Sequence, residues 1–384
     1  MSQPRDTFAD IGSVTYRIRQ AAAMLGVTDV TLRGYSENFD IRRASDTNPG
    51  APPIRIYEPS QIFEIALWRR AQGYLKVPQT HGKPFVIAVT VCKGGTGKTV
   101  TSVELAVELQ LLGFRTLLVD LDSQASATQI MGYEPDIMVE EAESFGLSEK
   151  AVVRETLANV LEAYVSSQQG GRVRQMPYDL KGLIKKPFGE HGPHLVPADT
   201  FLSSIERTLL VATGNRERFL RNMLDEAAKG AIPGFDTSGY DVIILDCPPT
   251  VSTTTSSGMV AADLLIAPIR MDVFSIKGIS KMISEIHVFK DEWVLKPELI
   301  ILPTHYSTNV GRISRMRREL ETYSESVSPY VISVSEDLPN SQERSMPLSI
   351  TKPTSTSACE YRAFAAYIRE KIVDRLSKTK GDKK

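Results

Sequence analysis

A glycine-rich run with two lysines lies between an apolar segment and a helical pattern. It follows PFVIAVTV, precedes VTSVELAVELQLLG, and reads Cys92-Lys93-Gly94-Gly95-Thr96-Gly97-Lys98-Thr99. Glycines let the backbone turn tightly, so that successive N–H groups converge on phosphate oxygens beside the positive end of a helix. We predict a phosphate-binding loop at residues 93–99, in which Lys98 reaches the β- and γ-phosphates and the Thr99 hydroxyl binds Mg²⁺. A glycine-rich turn without a ligand is the simpler alternative.

Carboxylates follow two further apolar runs. Asp120 and Asp122 end RTLLVDLD, and Asp246 ends VIILD directly before Cys247-Pro248-Pro249. Open α/β sheets bind ligands at the carboxyl ends of their strands, so these side chains are predicted to face the phosphate loop. Asp246 is predicted to hold Mg²⁺ through its water shell. Asp120 is predicted to support the loop or the Mg²⁺ shell.

The elements that position these residues follow from composition. Five strand-length apolar runs, at residues 84–91, 115–122, 240–249, 263–270 and 298–306, alternate with helical patterns. Continuous apolar strands are typical of a sheet covered by helices on both faces, so we predict an α/β fold with a mostly parallel sheet. Residues 134–178 are predicted to be helical and inserted at the sheet edge. Residues 357–377 are predicted to form an amphipathic helix packed on the fold, with a stripe of Tyr361, Phe364, Ile368, Ile372 and Leu376.

The phosphate loop departs from the ordinary P-loop, which would have glycine at Cys92, and carries the early Lys93. Residues 85–372 resemble the deviant Walker A ATPases, which include ParA, Soj and MinD. The resemblance implies ATP/ADP and Mg²⁺ as cofactors. It also implies a homodimer in which Lys93 crosses the interface to the phosphates bound by the other subunit. Asp122 would position or activate the attacking water, although Ser123 stands where many members have proline.

The first 83 residues are locally basic, with 11 Lys/Arg against 8 Asp/Glu. TYRIRQAAAMLGVTDVTLRGYSEN has helix-turn-helix spacing, with Gly26 in the turn and Thr28 as the N-cap of the second helix. The following RIYEPSQIFEIALWRRAQG resembles the wing and third helix of MerR-like domains. We therefore predict a winged helix-turn-helix domain at residues 1–83 and an ATPase domain at 84–384. In such domains the second helix reads base edges, which indicates Thr28, Asp29, Thr31 and Arg33, while Arg17, Arg42, Arg43 and Arg55 lie near phosphates. A small dimerisation module is the alternative.

A second basic patch lies late in the chain. It contains Arg312, Arg315, Arg317 and Arg318, with Arg344 in a later loop. These arginines are predicted to bind DNA phosphates without sequence preference. The alternative is a solvated helix face balanced by Glu319 and Glu321.

Composition limits the remaining possibilities. The net charge of −1 does not by itself require a nucleic-acid partner, so a DNA-binding surface must be local. The three cysteines match no metal spacing, and neither a signal peptide nor an 18-residue apolar run is present, which indicates a cytoplasmic protein. The resemblance to ParA and SopA implies a nucleoid-associated partition ATPase with a ParB-like partner and repression of its own operon. A RepA-type protein, a MinD-like membrane-recycling regulator and an ATP-responsive transcription regulator with little hydrolysis remain alternatives.

Overall fold

A six-stranded, parallel sheet forms the centre of the molecule, in the order β3-β2-β4-β1-β5-β6. A computed structural model describes residues 4–47, 50, 52–91, 93–170, 179–211, 217–250, 252–271, 297–307 and 320–381. The strands are β1 (Phe85–Val89), β2 (Thr116–Asp120), β3 (His194–Val196), β4 (Val242–Asp246), β5 (Leu264–Arg270) and β6 (Glu298–Thr304). The parallel sheet and the five predicted strands are confirmed. The sequence does not predict β3, because three residues at a sheet edge give no periodic signal.

Helices cover both faces of the sheet. They are α1 (Ile18–Leu25), α2 (Asp29–Tyr35), α3 (Ala44–Thr47), α4 (Pro59–Ala71), α5 (Lys98–Leu111), α6 (Ser126–Ile130), α7 (Val139–Ala142), α8 (Leu157–Gly170), α9 (Leu202–Val211), α10 (Phe219–Ala227), α11 (Thr253–Ala261), α12 (Asp337–Glu343), α13 (Leu348–Thr351) and α14 (Thr356–Gly381). Alternate residues of β1 enter two cores: Ile87 packs with α5 and α14, and Ala88 packs with α8 to α11. Because both faces are covered, the strands are apolar throughout.

The prediction that residues 134–178 form an edge insertion is wrong for α8. Leu157, Leu161 and Tyr164 of this helix are buried in the core that also contains Ala88 of β1 and Leu245 of β4. The helix therefore covers one face of the sheet. Its apolar residues are spaced like those of any surface helix, and that spacing does not reveal which part of the sheet they contact. Residues 171–178 lie outside the described part of the chain.

The N-terminal region contains the predicted pair of short helices. α1 ends at Leu25 and is capped by Gly26, whose backbone is left-handed with φ of 62°. The Thr28 side chain accepts a hydrogen bond of 3.1 Å from the Thr31 amide at the start of α2. The predicted turn and N-cap are therefore confirmed. Arg43 and Arg55 then pair in an antiparallel bridge ahead of α4. The winged helix-turn-helix assignment stays a prediction.

The N-terminal region packs against the rest of the chain. Tyr16 donates a 2.8 Å hydrogen bond to the carbonyl of Ile350, and Arg70 of α4 forms a two-fold ion pair with Asp241, just before β4. One hydrophobic core contains Tyr16 and Phe63 together with residues of α5 and α14. The division at residue 83 stays a prediction, and the two segments share this core.

The C-terminal helix packs as predicted. Tyr361, Phe364, Ile368 and Ile372 of α14 are buried, and Leu376 packs partly against the same core. The apolar stripe is therefore covered by the protein itself. Within the described ranges, no helix is long and apolar enough to span a membrane.

Candidate functional site

Three strands bring the predicted site residues to one edge of the sheet. Asp246 of β4 is paired in register with Val89 of β1 on one side and with Asp120 of β2 on the other. The phosphate loop leaves the end of β1, so both carboxylates lie in the row from which the loop begins. Parallel pairing therefore brings together residues that are far apart in the sequence.

The loop turns through two glycines in left-handed conformations. Gly95 and Gly97 have φ values of 69° and 88°, which side-chain-bearing residues rarely adopt. Lys98, the first residue of α5, is buried, and its ammonium donates a 2.9 Å hydrogen bond to the carbonyl of Lys93. Lys93 itself is half-buried. The backbone and the Lys98 charge thus form a compact cradle at the start of a 14-residue helix, which is the arrangement that binds phosphate.

A strand from the far end of the sheet supports the loop. The buried Thr304 hydroxyl, at the end of β6, donates a 2.8 Å hydrogen bond to the carbonyl of Thr96. The sequence does not indicate this contact, because the two residues are 208 positions apart and a threonine at a strand end is common.

Asp246 has one oxygen engaged and one without a partner. Its Oδ1 accepts a 2.7 Å hydrogen bond from Ser102 of α5, whereas the buried Oδ2 has no hydrogen-bond partner among the described residues. Burial raises the pKa of Asp246, and the hydroxyls of Ser102 and Thr99 and the Lys98 ammonium oppose this effect. Sequence reasoning did not identify Ser102, whose role depends on its rotational position on α5.

These oxygens fit a magnesium ion. Mg²⁺ prefers hard oxygen ligands and usually combines one or two carboxylates with phosphates and water. The Thr99 hydroxyl interacts with the Asp246 carboxylate, whose Oδ2 has no hydrogen-bond partner among the described residues. The described residues contain no cluster of three His, Cys, Asp or Glu side chains suited to a metal.

Asp120 organises the segment after β2. Its carboxylate accepts hydrogen bonds from the Thr128 amide and hydroxyl (2.9 and 2.8 Å) and from the Asp122 amide (3.1 Å). Burial raises its pKa, and the neighbouring Asp246 raises it further. These contacts agree with the first of the two roles predicted for Asp120, which is support of the loop. Participation of Asp120 in the Mg²⁺ shell stays a prediction.

Asp122 is held in a tight turn. It is half-buried, its Oδ1 accepts a 3.0 Å hydrogen bond from the Gln124 amide, and its carbonyl accepts one of 2.8 Å from Ala125. Ala125 has a φ of 53°, a left-handed conformation that costs a residue with a side chain about 1 kcal/mol. The turn therefore stores strain next to the carboxylate predicted to position water.

A cavity of about 340 Å³ continues from the loop. Its loop side is formed by Gly95, Gly97 and Val100, and its opposite wall includes His305, Ile332 and Leu338. One side is therefore the phosphate cradle, and the other combines the apolar Ile332, Val334 and Leu338 with polar residues such as Ser333, Ser335 and Glu336.

The predicted DNA contacts differ in their exposure to solvent. Thr28, Arg33, Arg42 and Arg43 are exposed, whereas Asp29 and Thr31 are half-buried. Arg344, at the end of α12, is also exposed. Residues 312–318, which include the four other predicted arginines, lie outside the described part of the chain. DNA binding by these residues stays a prediction.

Comparison with known proteins identifies the family. The model of the AAA_31 family of AAA domains matches residues 85–301, more than half of the chain. The chain belongs to this family. The similarity extends further in the cell division protein PomZ of Myxococcus xanthus, which is 26% identical over 96% of this chain and 97% of its own length. The chromosome partitioning protein ParA of the same bacterium is 29% identical over 62% of this chain and 71% of its own length. The resemblance to ParA-family P-loop ATPases is therefore confirmed.

Solved structures show the same fold. Cobyrinic acid a,c-diamide synthase from Mycobacterium smegmatis, with bound ADP and magnesium, superposes with a TM-score of 0.52 and 23% identity over 74% of this chain and 94% of that one. At this identity the match supports the fold of the P-loop domain and not a shared reaction.

Proposed function

We propose that this P-loop ATPase is an ATP-switched dimer that binds DNA and segregates a plasmid or chromosome together with a ParB-like partner. The observation that supports it best is the early Lys93, next to Lys98 in a phosphate cradle that faces Asp122 and Asp246. A single subunit needs only Lys98 to bind its phosphates. A second lysine at the loop entrance suits the phosphates of a facing subunit, as the ParA family resemblance implies.

Each residue has a defined part in hydrolysis. The amides of residues 94–99 and the Lys98 ammonium hold the phosphates, and Thr99 with Asp246 would hold Mg²⁺. When bound, Mg²⁺ neutralises the charge that develops on the transferred phosphoryl group. Asp122 orients water for in-line attack, and the partner's lysine completes the site. Hydrolysis proceeds by positioning and electrostatic stabilisation.

The cavity beside the loop is the proposed base site. The nucleoside of an ATP whose phosphates occupy the cradle has to leave it near Gly95 and Val100, where this cavity opens. Apolar Ile332 and Leu338 suit the faces of a purine ring. This proposal explains why the loop and the C-terminal segment meet across a space and not across a packed interface.

DNA binding is proposed at two levels. The ATP-bound dimer binds duplex DNA without sequence preference, through the late arginines including Arg344. The N-terminal region binds an operator and represses its own operon. Support for the second level comes from the confirmed turn at Gly26, the Thr28 cap and the exposed arginines around α2.

Binding of the full-length protein to a non-specific duplex, with ATP, with ADP and without nucleotide, tests the proposal. We expect salt-sensitive binding with ATP alone, and its loss in Lys93→Ala, because the variant cannot complete the facing site. Lys150→Ala, an exposed lysine away from the loop, is the matched control and should bind like the wild type.

Equal binding in all three nucleotide states would contradict the switch and leave a regulator with a structural ATP site. Absence of binding in every state, combined with ATP-dependent binding to anionic vesicles, would instead support a membrane-recycling function.

A further inference from the structure

The outer side of α2 carries a surface that folding does not explain. α2 packs inward through the buried Leu32 and through Tyr35, whose ring contacts Trp68 at a centroid distance of 5.2 Å. Val30, Arg33 and Gly34 are spaced three and four residues apart, so they share the opposite side of the helix. Val30, Arg33 and Gly34 are all exposed to solvent.

Gly34 is the most informative of the three. Glycine destabilises a helix relative to alanine, so it needs a reason. Its backbone is not left-handed, and a Cβ placed on it would meet no atom within 4 Å. Neither backbone strain nor crowding inside the protein therefore requires glycine here. Close approach of a ligand to the backbone would account for a glycine at this exposed position.

Val30 extends the same surface. The residue is 77% exposed, the largest value among the exposed large hydrophobic residues of the described chain. A single exposed valine is common and needs no explanation by itself. Beside an unexplained glycine on the same helix face, it provides methyl groups that could contact an apolar group of the ligand.

The residues predicted from the sequence to read bases have other contacts. The Thr28 and Thr31 hydroxyls are hydrogen-bonded to each other at 2.8 Å, and Thr28 also caps α2. Asp29 faces Arg19 at 3.9 Å. Their side chains therefore act mainly within the start of the helix, and the outward positions belong to Val30, Arg33 and Gly34.

Cationic groups suit duplex DNA as the ligand. Arg55, on the segment that is hydrogen-bonded to residues 42–44, donates a 3.1 Å hydrogen bond to the Arg33 carbonyl and so fixes that segment beside the end of α2. Arg17, just before α1, and Arg42 and Arg43, next to the bridge with Arg55, are exposed and suit contacts with DNA phosphates.

We propose that Val30, Arg33 and Gly34 form the sequence-reading surface for the DNA major groove. Val30 contacts a thymine methyl group, Arg33 donates two hydrogen bonds to guanine O6 and N7, and Gly34 allows the base edges to approach the helix. Three helical residues span about 4.5 Å and one base step is about 3.4 Å, so the thymine and guanine lie within about two base pairs of each other. This assignment rests on the proposed DNA-binding function.

Selection from a pool of random duplexes of about 20 bp, with full-length protein, tests the proposal. The wild type should enrich a site with thymine and guanine in this spacing. Replacing the selected thymine by uracil, which lacks only the methyl group, should weaken binding about fourfold. Val30→Ala should bind the two duplexes equally. Arg33→Ala should lose about tenfold or more in affinity and its preference for guanine.

Gly34→Ala separates this role from folding. The variant should melt at a higher temperature than the wild type and yet bind the selected duplex at least about tenfold more weakly, because the added methyl group holds the helix away from the groove. Its ATP-dependent binding to a non-specific duplex should not change. Gly12→Ala, where a Cβ also meets no atom within 4 Å, and Val139→Ala, on α7, are matched controls that should leave DNA binding unchanged.

Several outcomes would overturn the assignment. The first is that the selection enriches no sequence. The second is that Gly34→Ala and Val30→Ala bind the selected duplex as tightly as the wild type does. The third is that these variants keep their DNA binding but self-associate more weakly. The last result would identify the surface as an interface between copies of the chain. If the wild type still binds non-specific DNA in an ATP-dependent manner, only this assignment has failed. If the wild type shows no such binding, the proposed function is refuted as well.

Discussion

The nucleotide edge and the outer side of α2 are built in opposite ways. At the nucleotide edge, Lys98 and Asp246 are buried and already hydrogen-bonded within the protein. On α2, Val30 and Arg33 point into solvent and Gly34 leaves space. A site that stabilises developing charge needs groups fixed in advance, whereas a surface that reads DNA needs groups that remain accessible to the bases. The fold thus explains the residues of the first region, and the lack of a folding role marks those of the second.

Lys98→Ala should give the largest effect and should be confined to the nucleotide edge. Removing the buried ammonium leaves the phosphate charge without its main cation, so ATP hydrolysis should fall roughly 100- to 1,000-fold. A steady-state phosphate-release assay measures this loss. The melting temperature should stay close to that of the wild type. Retention of more than half of the activity would contradict the assignment of the cradle.

Arg70→Ala tests whether the N-terminal segment that carries α2 and the segment that carries the nucleotide edge unfold together. Asp241 would lose its ion pair while remaining largely buried, at a cost of about 2–4 kcal/mol in the free energy of unfolding. Because one core spans both segments, denaturant unfolding should shift to lower concentration as a single transition. Arg42→Ala, which removes an exposed pair with Glu58 at 3.6 Å, should cost less than about 1 kcal/mol. Two separate transitions in the wild type would contradict the shared core.

Glu104→Gln tests whether the buried Glu104 carboxyl group of α5 makes the stability of the protein depend on pH. Burial raises the pKa of Glu104 to about 7, although its carboxylate accepts hydrogen bonds from the amides of Leu348 (2.6 Å) and Ser349 (3.0 Å). An unfolded glutamate has a pKa of about 4.3. Between these values the folded protein binds a proton that the unfolded chain does not. Stability should therefore fall as the pH rises from about 4.5 to about 7, by on the order of 3 kcal/mol from this group.

Urea unfolding at about pH 5 and about pH 7.5 measures this dependence. The variant has no titrating group at the position, so the wild type should lose more stability than the variant over this interval. Glu343→Gln, at an exposed position of α12, should behave like the wild type. Identical pH dependence in wild type and Glu104→Gln would contradict the prediction.

Ser102→Ala should give the smallest effect and the most specific one. Without the 2.7 Å hydrogen bond, the Asp246 carboxylate is less well oriented, and the Mg²⁺ concentration for half-maximal hydrolysis should rise about tenfold. Nucleotide binding in the absence of Mg²⁺ should not change. Thr101→Val is a matched control on the same helix, since the Thr101 hydroxyl contacts Tyr361. A rise in both variants would show a general disturbance of α5.

The nucleotide edge could largely be predicted from the sequence, whereas the outer side of α2 could not. The cradle and its carboxylates could be predicted, because register in a parallel sheet forces Asp120 and Asp246 together. The contacts of Ser102 and Thr304 could not, since they depend on the rotation of α5 and on pairing across 208 residues. The outward face of α2 could not either. In a seven-residue helix, the packing of Leu32 decides which residues face solvent.

The claim that Lys93 acts on the nucleotide of the facing subunit can be tested most directly by mixing Lys93→Ala with Asp122→Ala. Each variant alone should be inactive in ATP hydrolysis, since every site lacks either the partner's lysine or the water-orienting carboxylate. In a mixed dimer, the Lys93→Ala subunit retains its own Asp122 and receives Lys93 from its partner, so one site is complete. Random pairing should restore about a quarter of wild-type activity. A mixture that stays as inactive as the separate variants would contradict the shared site.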